Sequence, residues 1–302
     1  NQHLVQIIAV SLNPVDYKPA EIPVAGRFIV GKLATPCNDI AGRIVTPASG
    51  SPFKPGDLVS GISGTSYVAG GGLTEYTLCE KNNVIAIPEG VDPIDAASVP
   101  VAGITAYQTI VLHMKKGDKL FLNGGSGGTG IFGIQIGKAI GCHVTTSCST
   151  ANVEFCKSLG ADVVVDYKKG SVAEQLKASG VQFDHVIDNV GGDNLELYWK
   201  SHDYMKPDAK YIMVGGTMSL GHALERVKVK LLPGFLGGGK RKFEGFLATA
   251  KPEDLTQIAA WMKEGKVKAV IDSTFSFEEA PKAFDRLKTG RARGKIVVNV
   301  SA

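Results

Sequence analysis

The residues best placed to do chemistry in this chain are glycines. Gly125, Gly127 and Gly130 have the G-x-G-x-x-G spacing, with Ser126, Gly128 and Thr129 between them. An apolar run, KLFLN (119–123), leads into this turn, and a helix-like run, FGIQIGKAI, leaves it. In that context the pattern reads as a pyrophosphate cradle. Glycine permits the tight turn and close backbone approach, and free N–H groups at a helix start face the anion with the helix dipole behind them. Gly133 and Gly137 lie farther along the same helix, where each costs about 1 kcal/mol relative to alanine, and they read as close packing on a sheet. Dinucleotide turns that select NAD place an acid roughly 20 residues onward for the ribose 2′-hydroxyl. No Asp or Glu falls between Gly130 and Val153, and Cys148, Ser149 and Thr150 stand in that place. Hydroxyls there remove the repulsion a 2′-phosphate would meet, which favours NADPH, with Ser149 donating to the phosphate. Tyr167 closes the next apolar run on the adenine side. Lys168 and Lys169 behind it are possible cationic partners and read equally as solvated side chains.

A cradle needs a sheet to hold it. KLFLNGG (119–125), HVTTSCS (143–149), DVVVDY (162–167), FDHVIDNVGG (183–192) and KYIMVGG (210–216) are apolar runs separated by helix-like segments such as NVEFCKSLG and SVAEQLKASG. Continuous apolar strands alternating with helices predict an α/β, doubly wound parallel sheet covered on both faces. Residues 1 to about 100 have a different rhythm. HLVQIIAVSL, DIAGRIV, DLVSGI, LTEYTL and NVIAIP are short runs split by Pro and Gly, which suggests an antiparallel, barrel-like domain. After KFEGFLAT (242–249), a helix (PEDLTQIAAWMKEGK), a strand (VKAVIDSTF), a helix (SFEEAPKAFDRLKTG) and a strand (KIVVNV) read as a return to that first domain. The expected division is 1–101 with 252–302, around 102–251.

Composition narrows the function classes. A length of 302 residues allows two cores, and 44% hydrophobic with 21% charged residues is ordinary for a globular chain. The net charge of +4 is scattered, so no nucleic-acid partner is expected. Lys240, Arg241 and Lys242 are a local exception, suited to an anion or to a solvated loop. No apolar run approaches the roughly 20 residues that cross a bilayer, so no membrane association is expected. Five widely spaced cysteines without a C-x-x-C pair fit a reducing, cytoplasmic compartment. No start methionine or signal peptide precedes the first strand, so the native N-terminus is expected to lie upstream and organelle targeting stays open.

LNPVDYK (12–18), PGDLVSG (55–61), GGLTEYT (71–77), AASVPVAGITAYQT (96–109), NGGSGGTGIFGIQIGKAIG (123–141), LGADVVVDYK (159–168), DNVGG (188–192) and RGKIVV (293–298) together resemble the medium-chain dehydrogenase/reductase superfamily. Within it they are similar to the zinc-free quinone oxidoreductase and enoyl reductase branch. They cover nearly the whole chain in the family's order and lack only the opening pair of strands that usually precedes LNPVDYK. The resemblance implies a GroES-like β-barrel catalytic domain interrupted by a Rossmann NADPH-binding domain, with the active site in the cleft between them. It places Thr105 near the nicotinamide end, and Asn189, Val190, Gly215, Gly216 and Thr217 along the nicotinamide ring. It also implies a homodimer paired through the edge of the Rossmann sheet.

Zinc alcohol dehydrogenases of this superfamily hold their ion with Cys, His and Cys. The corresponding segments here carry Asn13, Asn38 with Asp39, and Val101; Cys37 alone does not complete a site, and no metal is expected. GISGTSYVAGGG stands where the structural zinc lobe would be. Without a Lewis acid, oxidation of simple alcohols loses its usual alkoxide stabiliser. Hydride transfer from NADPH to a quinone or an α,β-unsaturated carbonyl needs less from the protein: position, and a donor for the developing enolate oxygen. Asn13, Tyr17 and Lys18 are the candidate catalytic residues, Lys18 resembling the family's ribose-side proton relay, with Tyr67 behind them. Asn13 before Pro14 reads equally as a turn residue, and Tyr17 as core. The histidines form no ligand spacing or triad, and Asp188 reads as a strand end. The expected function is therefore an NADPH-dependent quinone or enone reductase acting on a small-molecule carbonyl or quinone. The alternatives are a pathway-specific, trans-acting enoyl reductase and a catalytically silent NADPH-binding protein. The substrate pocket is expected in variable loops such as 231–243.

Overall fold

The computed structural model describes residues 1–22, 26–29, 34–64, 71–192, 194–216, 219–232 and 238–301. In chain order the elements are β1 (Gln2–Ser11), α1 (Gly26–Ile29), β2 (Asp39–Thr46), β3 (Leu58–Ile62), β4 (Tyr76–Glu80), β5 (Val84–Ala86), α2 (Pro93–Ala97), α3 (Pro100–Ile110) and β6 (Lys119–Asn123). They continue with α4 (Gly128–Ala139), β7 (His143–Cys148), α5 (Val153–Ser158), β8 (Val163–Asp166), α6 (Val172–Ala178), β9 (Phe183–Asp188), α7 (Glu196–Trp199) and β10 (Met205–Met213). Last come α8 (Leu220–Leu231), β11 (Lys242–Gly245), α9 (Pro252–Lys263), β12 (Ile271–Ser276), α10 (Ala280–Lys288) and β13 (Lys295–Asn299). Two compact units form: Asn1–Ile104 with Ala248–Ala302, and Thr105–Leu247.

The first unit is built on a seven-stranded sheet of order β12-β13-β1-β2-β3-β5, with β4 also bonded to β1. Every pairing is antiparallel except β12 with β13, a parallel pair that the turn spacing of the sequence does not announce. β1 alternates buried and half-buried residues over its first half and is wholly buried from Ala9 to Ser11, where β2 and β13 flank it. Val5, Ile7, Val10, Ile40, Ile44, Val59, Ile296 and Val298 form the core, closed by Ala280 and Ala283 of α10. β2 is likewise buried from Asp39 to Gly42 and alternates only from Arg43 onward, so DIAGRIV and HLVQIIAVSL each join a partly solvated stretch to a fully buried one.

The second unit is a six-stranded, wholly parallel sheet of order β11-β10-β9-β6-β7-β8. Chain order reverses between β6 and β9, and at such a switch point the carboxyl ends of the strands open a crevice for ligands. The predicted strands β6 to β10 are all present. β11 is an addition: four half-exposed residues at the sheet edge carry no periodicity strong enough to read. A Cβ on Gly133 would stand 3.0 Å from Leu122 Cδ2, and one on Gly137 2.9 Å from Val144 Cγ2. Both glycines therefore let α4 lie close on β6 and β7.

Candidate functional site

The glycine turn joins β6 to α4. Gly124 opens it with φ +85°, a left-handed conformation that favours glycine, and donates its N–H to Ser147 Oγ at 3.0 Å. A Cβ on Gly125 would meet Thr146 Oγ1 at 2.2 Å, and one on Gly130 would meet Gly124 O at 2.1 Å. Packing alone therefore demands glycine at these two positions. At Gly127 it does not: among the described residues a Cβ there would find only Gly124 O, at an ordinary 3.7 Å. The first-turn N–H groups of Gly128, Thr129 and Gly130 have no helical carbonyl to reach, so the turn presents donors to an anion.

β7 and β8 end beside one another, Cys148 opposite Asp166. Ser149 is half-buried, and its hydroxyl has no partner among the described residues. Thr150 is differently placed: its hydroxyl donates to Asp166 Oδ2 at 2.7 Å. Asp166 also accepts from Lys168 N at 2.9 Å, and the Thr150 bond is the main cause holding its carboxyl below the ordinary carboxylate range. Tyr167 is 50% exposed, with the Lys168 ammonium 5.5 Å from its ring centroid. Sequence reasoning missed Asn152. Its Nδ2 donates to Ser126 Oγ at 3.1 Å, while its Oδ1 is buried without a partner among the described residues. Nothing in its local pattern marks it.

The loops after β9 and β10 lie together. A Cβ on Gly215 would meet Asn189 O at 2.0 Å, and one on Gly191 would meet Gly215 O at 2.6 Å. Asn189 carries a carboxamide whose Nδ2 and Oδ1 are both buried with no partner among the described residues, and the Val190 side chain beside it is 54% exposed. Orphaned amides are uncommon in folded interiors, and pairing with a ligand accounts for one. Gly216 is half-buried, its Cα against His222: a Cβ there would be 2.7 Å from Nε2. Thr105 is buried in α3 and its carbonyl accepts from Thr109 Oγ1 at 2.8 Å. Thr217 and Tyr67 lie outside the described residues.

In the first unit, Asn13 to Asp16 form a capped turn. Asp16 accepts from Asn13 N (2.7 Å), Asn38 N (3.1 Å) and Asn38 Nδ2 (2.7 Å). Burial, followed by the neighbouring Asp39 carboxylate, pushes the Asp16 carboxyl up to about 7 against those three donors. Asp39 is fully buried. It accepts from Val101 N (2.7 Å) and Asn13 Nδ2 (2.8 Å) and pairs with the Lys295 ammonium at 3.2 Å. Lys295, itself 2% exposed, also donates to Leu12 O (3.1 Å) and to Asn13 Oδ1 (2.5 Å). The Asn13 amide thus touches both members of this buried ion pair, one Nδ2 hydrogen going to Asp39 and Oδ1 accepting from Lys295. Tyr17 is half-buried, with its ring under the Lys288 ammonium, 5.3 Å from the centroid, and its hydroxyl has no partner among the described residues. Burial, then Glu21, raises its pKa, and burial lowers that of Lys18.

The same segments test a metal. Asn13, Asn38 and Val101 offer no thiolate or imidazole, and both Asp39 oxygens are occupied by donors of this chain. Burial pushes the Cys37 thiol well above its usual range. Among the described residues no three His, Cys, Asp or Glu side chains group as a metal site requires. The donor set does not fit zinc.

A doubly wound sheet with a glycine turn at its first strand, fused to a mainly antiparallel unit, defines a class of two-part dehydrogenases and reductases. Residues 1–89 match the family model of the alcohol dehydrogenase GroES-like domain, and residues 159–298 that of the zinc-binding dehydrogenases. The chain is 47% identical to the trans-enoyl reductase pgmF of Aspergillus terreus over 311 residues, covering 99% of this chain and 86% of that one. It is 35% identical to a zinc-type alcohol dehydrogenase-like protein of Schizosaccharomyces pombe, covering 98% and 86%. Among solved structures, the quinone oxidoreductase from Coxiella burnetii superposes with a TM-score of 0.85 at 31% identity, covering 100% and 91%. The chain belongs to the medium-chain dehydrogenase/reductase superfamily and is an oxidoreductase.

Proposed function

We propose that this oxidoreductase uses NADPH to reduce quinones or α,β-unsaturated carbonyl compounds, without zinc. The observation that carries the reading is Gly127: the turn keeps a glycine where no atom of the described residues requires one, which is what close backbone approach by a pyrophosphate calls for. In this proposal Gly125, Ser126, Gly127, Gly128, Thr129 and Gly130 hold the pyrophosphate, and Ser149 and Tyr167 the adenosine end with its 2′-phosphate. Thr105, Asn189, Val190, Gly215, Gly216 and Thr217 hold the nicotinamide end. Bound NADPH supplies the hydride.

Asn13, Tyr17 and Lys18 are the catalytic residues of this proposal, Asn13 as a hydrogen-bond donor to the developing enolate oxygen and Tyr17 with Lys18 as the source of the proton. Burial keeps the Tyr17 phenol protonated, its hydroxyl having no partner among the described residues, and burial lowers the pKa of Lys18, which makes its ammonium a stronger acid than an ordinary lysine's. Residues 1–101 with 252–302 form the catalytic domain and 102–251 the NADPH domain. A cytoplasmic homodimer paired along β11 completes the proposal, supported by five free thiols and an exposed sheet edge, and a monomer in sedimentation would remove the second part.

The identity to pgmF favours a second reading of the substrate: an enoyl intermediate of a biosynthetic pathway, reduced in trans. One assay addresses both. Pure protein with NADPH is offered quinones, enals and enoyl thioesters, and cofactor oxidation is followed. Turnover confined to enoyl thioesters selects the second reading. NADPH binding with no turnover on any acceptor would leave a silent binding protein instead.

A further inference from the structure

At the carboxyl end of β9 one buried carboxylate gathers four donors. Asp188 is 2% exposed. Its Oδ1 accepts from Asn123 Nδ2 (2.7 Å), Val190 N (3.0 Å) and Gly191 N (3.0 Å), and its Oδ2 accepts from the Tyr211 hydroxyl (2.6 Å). Its main-chain carbonyl accepts from Val214 N (2.9 Å) and Gly215 N (3.1 Å). Asn123 continues the network: Ser147 Oγ donates to its Oδ1 and accepts from Gly124 N at the start of the glycine turn. One residue therefore ties the loop after β9 to the loop after β10 and reaches the phosphate turn through two side chains.

A carboxylate suits this place because it only accepts, with about four lone-pair sites for four converging donors. Bonds from backbone N–H to an ionised oxygen are also among the stronger ones available. The group they aim is Asn189, whose carboxamide Nδ2 and Oδ1 are buried with no hydrogen-bond partner among the described residues. We propose that Asp188 is a positioning residue: by holding the Val190 and Gly191 N–H groups it sets the direction of the Asn189 carboxamide toward the nicotinamide end of the cofactor. This rests on the dinucleotide reading above. In this proposal Asp188 acts through Asn189, by way of the Val190 and Gly191 N–H groups it holds.

The test compares two ligands on one protein. Wild type, Asp188→Asn, Asn189→Ala and Tyr211→Phe are titrated calorimetrically with NADPH and with 2′,5′-ADP, which lacks the nicotinamide half. Asp188→Asn puts amide hydrogens opposite the Asn123 amide or the loop N–H groups. It is expected to weaken NADPH by about tenfold while leaving 2′,5′-ADP within about twofold. Asn189→Ala, which leaves the carboxylate network intact, is expected to give the same selective loss and decides the matter if Asp188→Asn does not fold. Tyr211→Phe keeps both loop bonds and is expected to stay within about threefold for both ligands. Equal weakening of both ligands by Asp188→Asn, no weakening by either loop variant, or a loss in Tyr211→Phe matching that of Asp188→Asn would overturn the proposal. A wild type that binds neither ligand overturns the dinucleotide reading itself, and the proposal with it.

Discussion

Replacing Gly127 by alanine adds one methyl group at the N-cap of α4. The backbone there, at φ −83° and ψ 174°, is open to any residue, and the nearest atom to the new methyl is Gly124 O at 3.7 Å. Two small terms set the stability. Loss of freedom in the unfolded chain stabilises by roughly 0.4–1 kcal/mol, and alanine in place of glycine at an N-cap costs a similar amount. They offset one another, so the melting temperature should stay within about 2 °C of wild type. Binding should behave differently. A methyl beside the turn holds a pyrophosphate off N–H groups whose charge-assisted bonds are worth roughly 1.5–3 kcal/mol each, so NADPH affinity should fall by about tenfold to a hundredfold. Gly130→Ala is the contrast. Its methyl would lie 2.1 Å from Gly124 O and 2.7 Å from Gly125 C, backbone atoms that no rotamer change can move, and overpacking of that kind costs about 1–3 kcal/mol or more. Scanning calorimetry and NADPH titration on both variants make the comparison. A Gly127→Ala protein that binds NADPH like wild type, or melts as low as Gly130→Ala, would refute the reasoning.

Other perturbations test separate parts of the molecule. Lys295→Met leaves the Asp39 carboxylate buried and uncompensated and should cost about 3–5 kcal/mol in denaturant unfolding, with Asp39→Asn in the same chain restoring part of it; a loss below about 1 kcal/mol would show that the pair contributes little. Burial, then the adjacent His113, pushes His185 from its ordinary 6.5 down to about 4. The unfolded chain takes up that proton first, so this group's contribution is complete above the ordinary value and is lost as pH falls toward the folded one. It should account for about 2 kcal/mol between pH 8 and pH 5 that His185→Gln no longer shows. Ser149→Asp places a carboxylate where the 2′-phosphate is proposed and should shift the preference from NADPH toward NADH, read as the ratio of the two dissociation constants; an unchanged ratio would remove Ser149 from that site. Dialysis against a chelator should leave reductase activity intact, and activity lost with a stoichiometric metal and restored by adding it back would refute the zinc-free reading.

How far the molecule can be read from its sequence depends on the range of the interaction. β6 to β10 are legible because each is an apolar run bounded by turn residues, a signal contained within a few positions. The glycine turn is legible for the same reason, since G-x-G-x-x-G between an apolar strand and a helix is local. β11 escaped because four half-exposed edge residues carry no period, and β12 begins at Ile271 rather than within the preceding VKAV. The polar networks escaped for another reason. Lys295 and Asp39 are 256 residues apart, and no spacing rule links KIVVNV to CNDIAG. Asp188 reads as a strand end and ends β9, but its hydrogen bonds depend on Asn123 and Tyr211 arriving from two neighbouring strands. The partners of Asn13 in LNPVDYK, Asp39 and Lys295, likewise lie far off along the chain.

The first unit is assembled from both arms of the chain. β1 pairs with β13, and the Lys295 ammonium reaches Leu12 and Asn13. The parallel sheet, by contrast, is contained in one uninterrupted stretch. On the ribosome that stretch can reach its native state while the earlier strands still wait for their partner, because domains fold as units when their residues have all emerged. Birth order thus runs from the inside of the gene outward. A nonsense codon or a protease cut shortly before residue 295 would strand the opening segment with an unfilled edge, prone to seek a substitute strand from another molecule, while leaving the nucleotide-type fold standing.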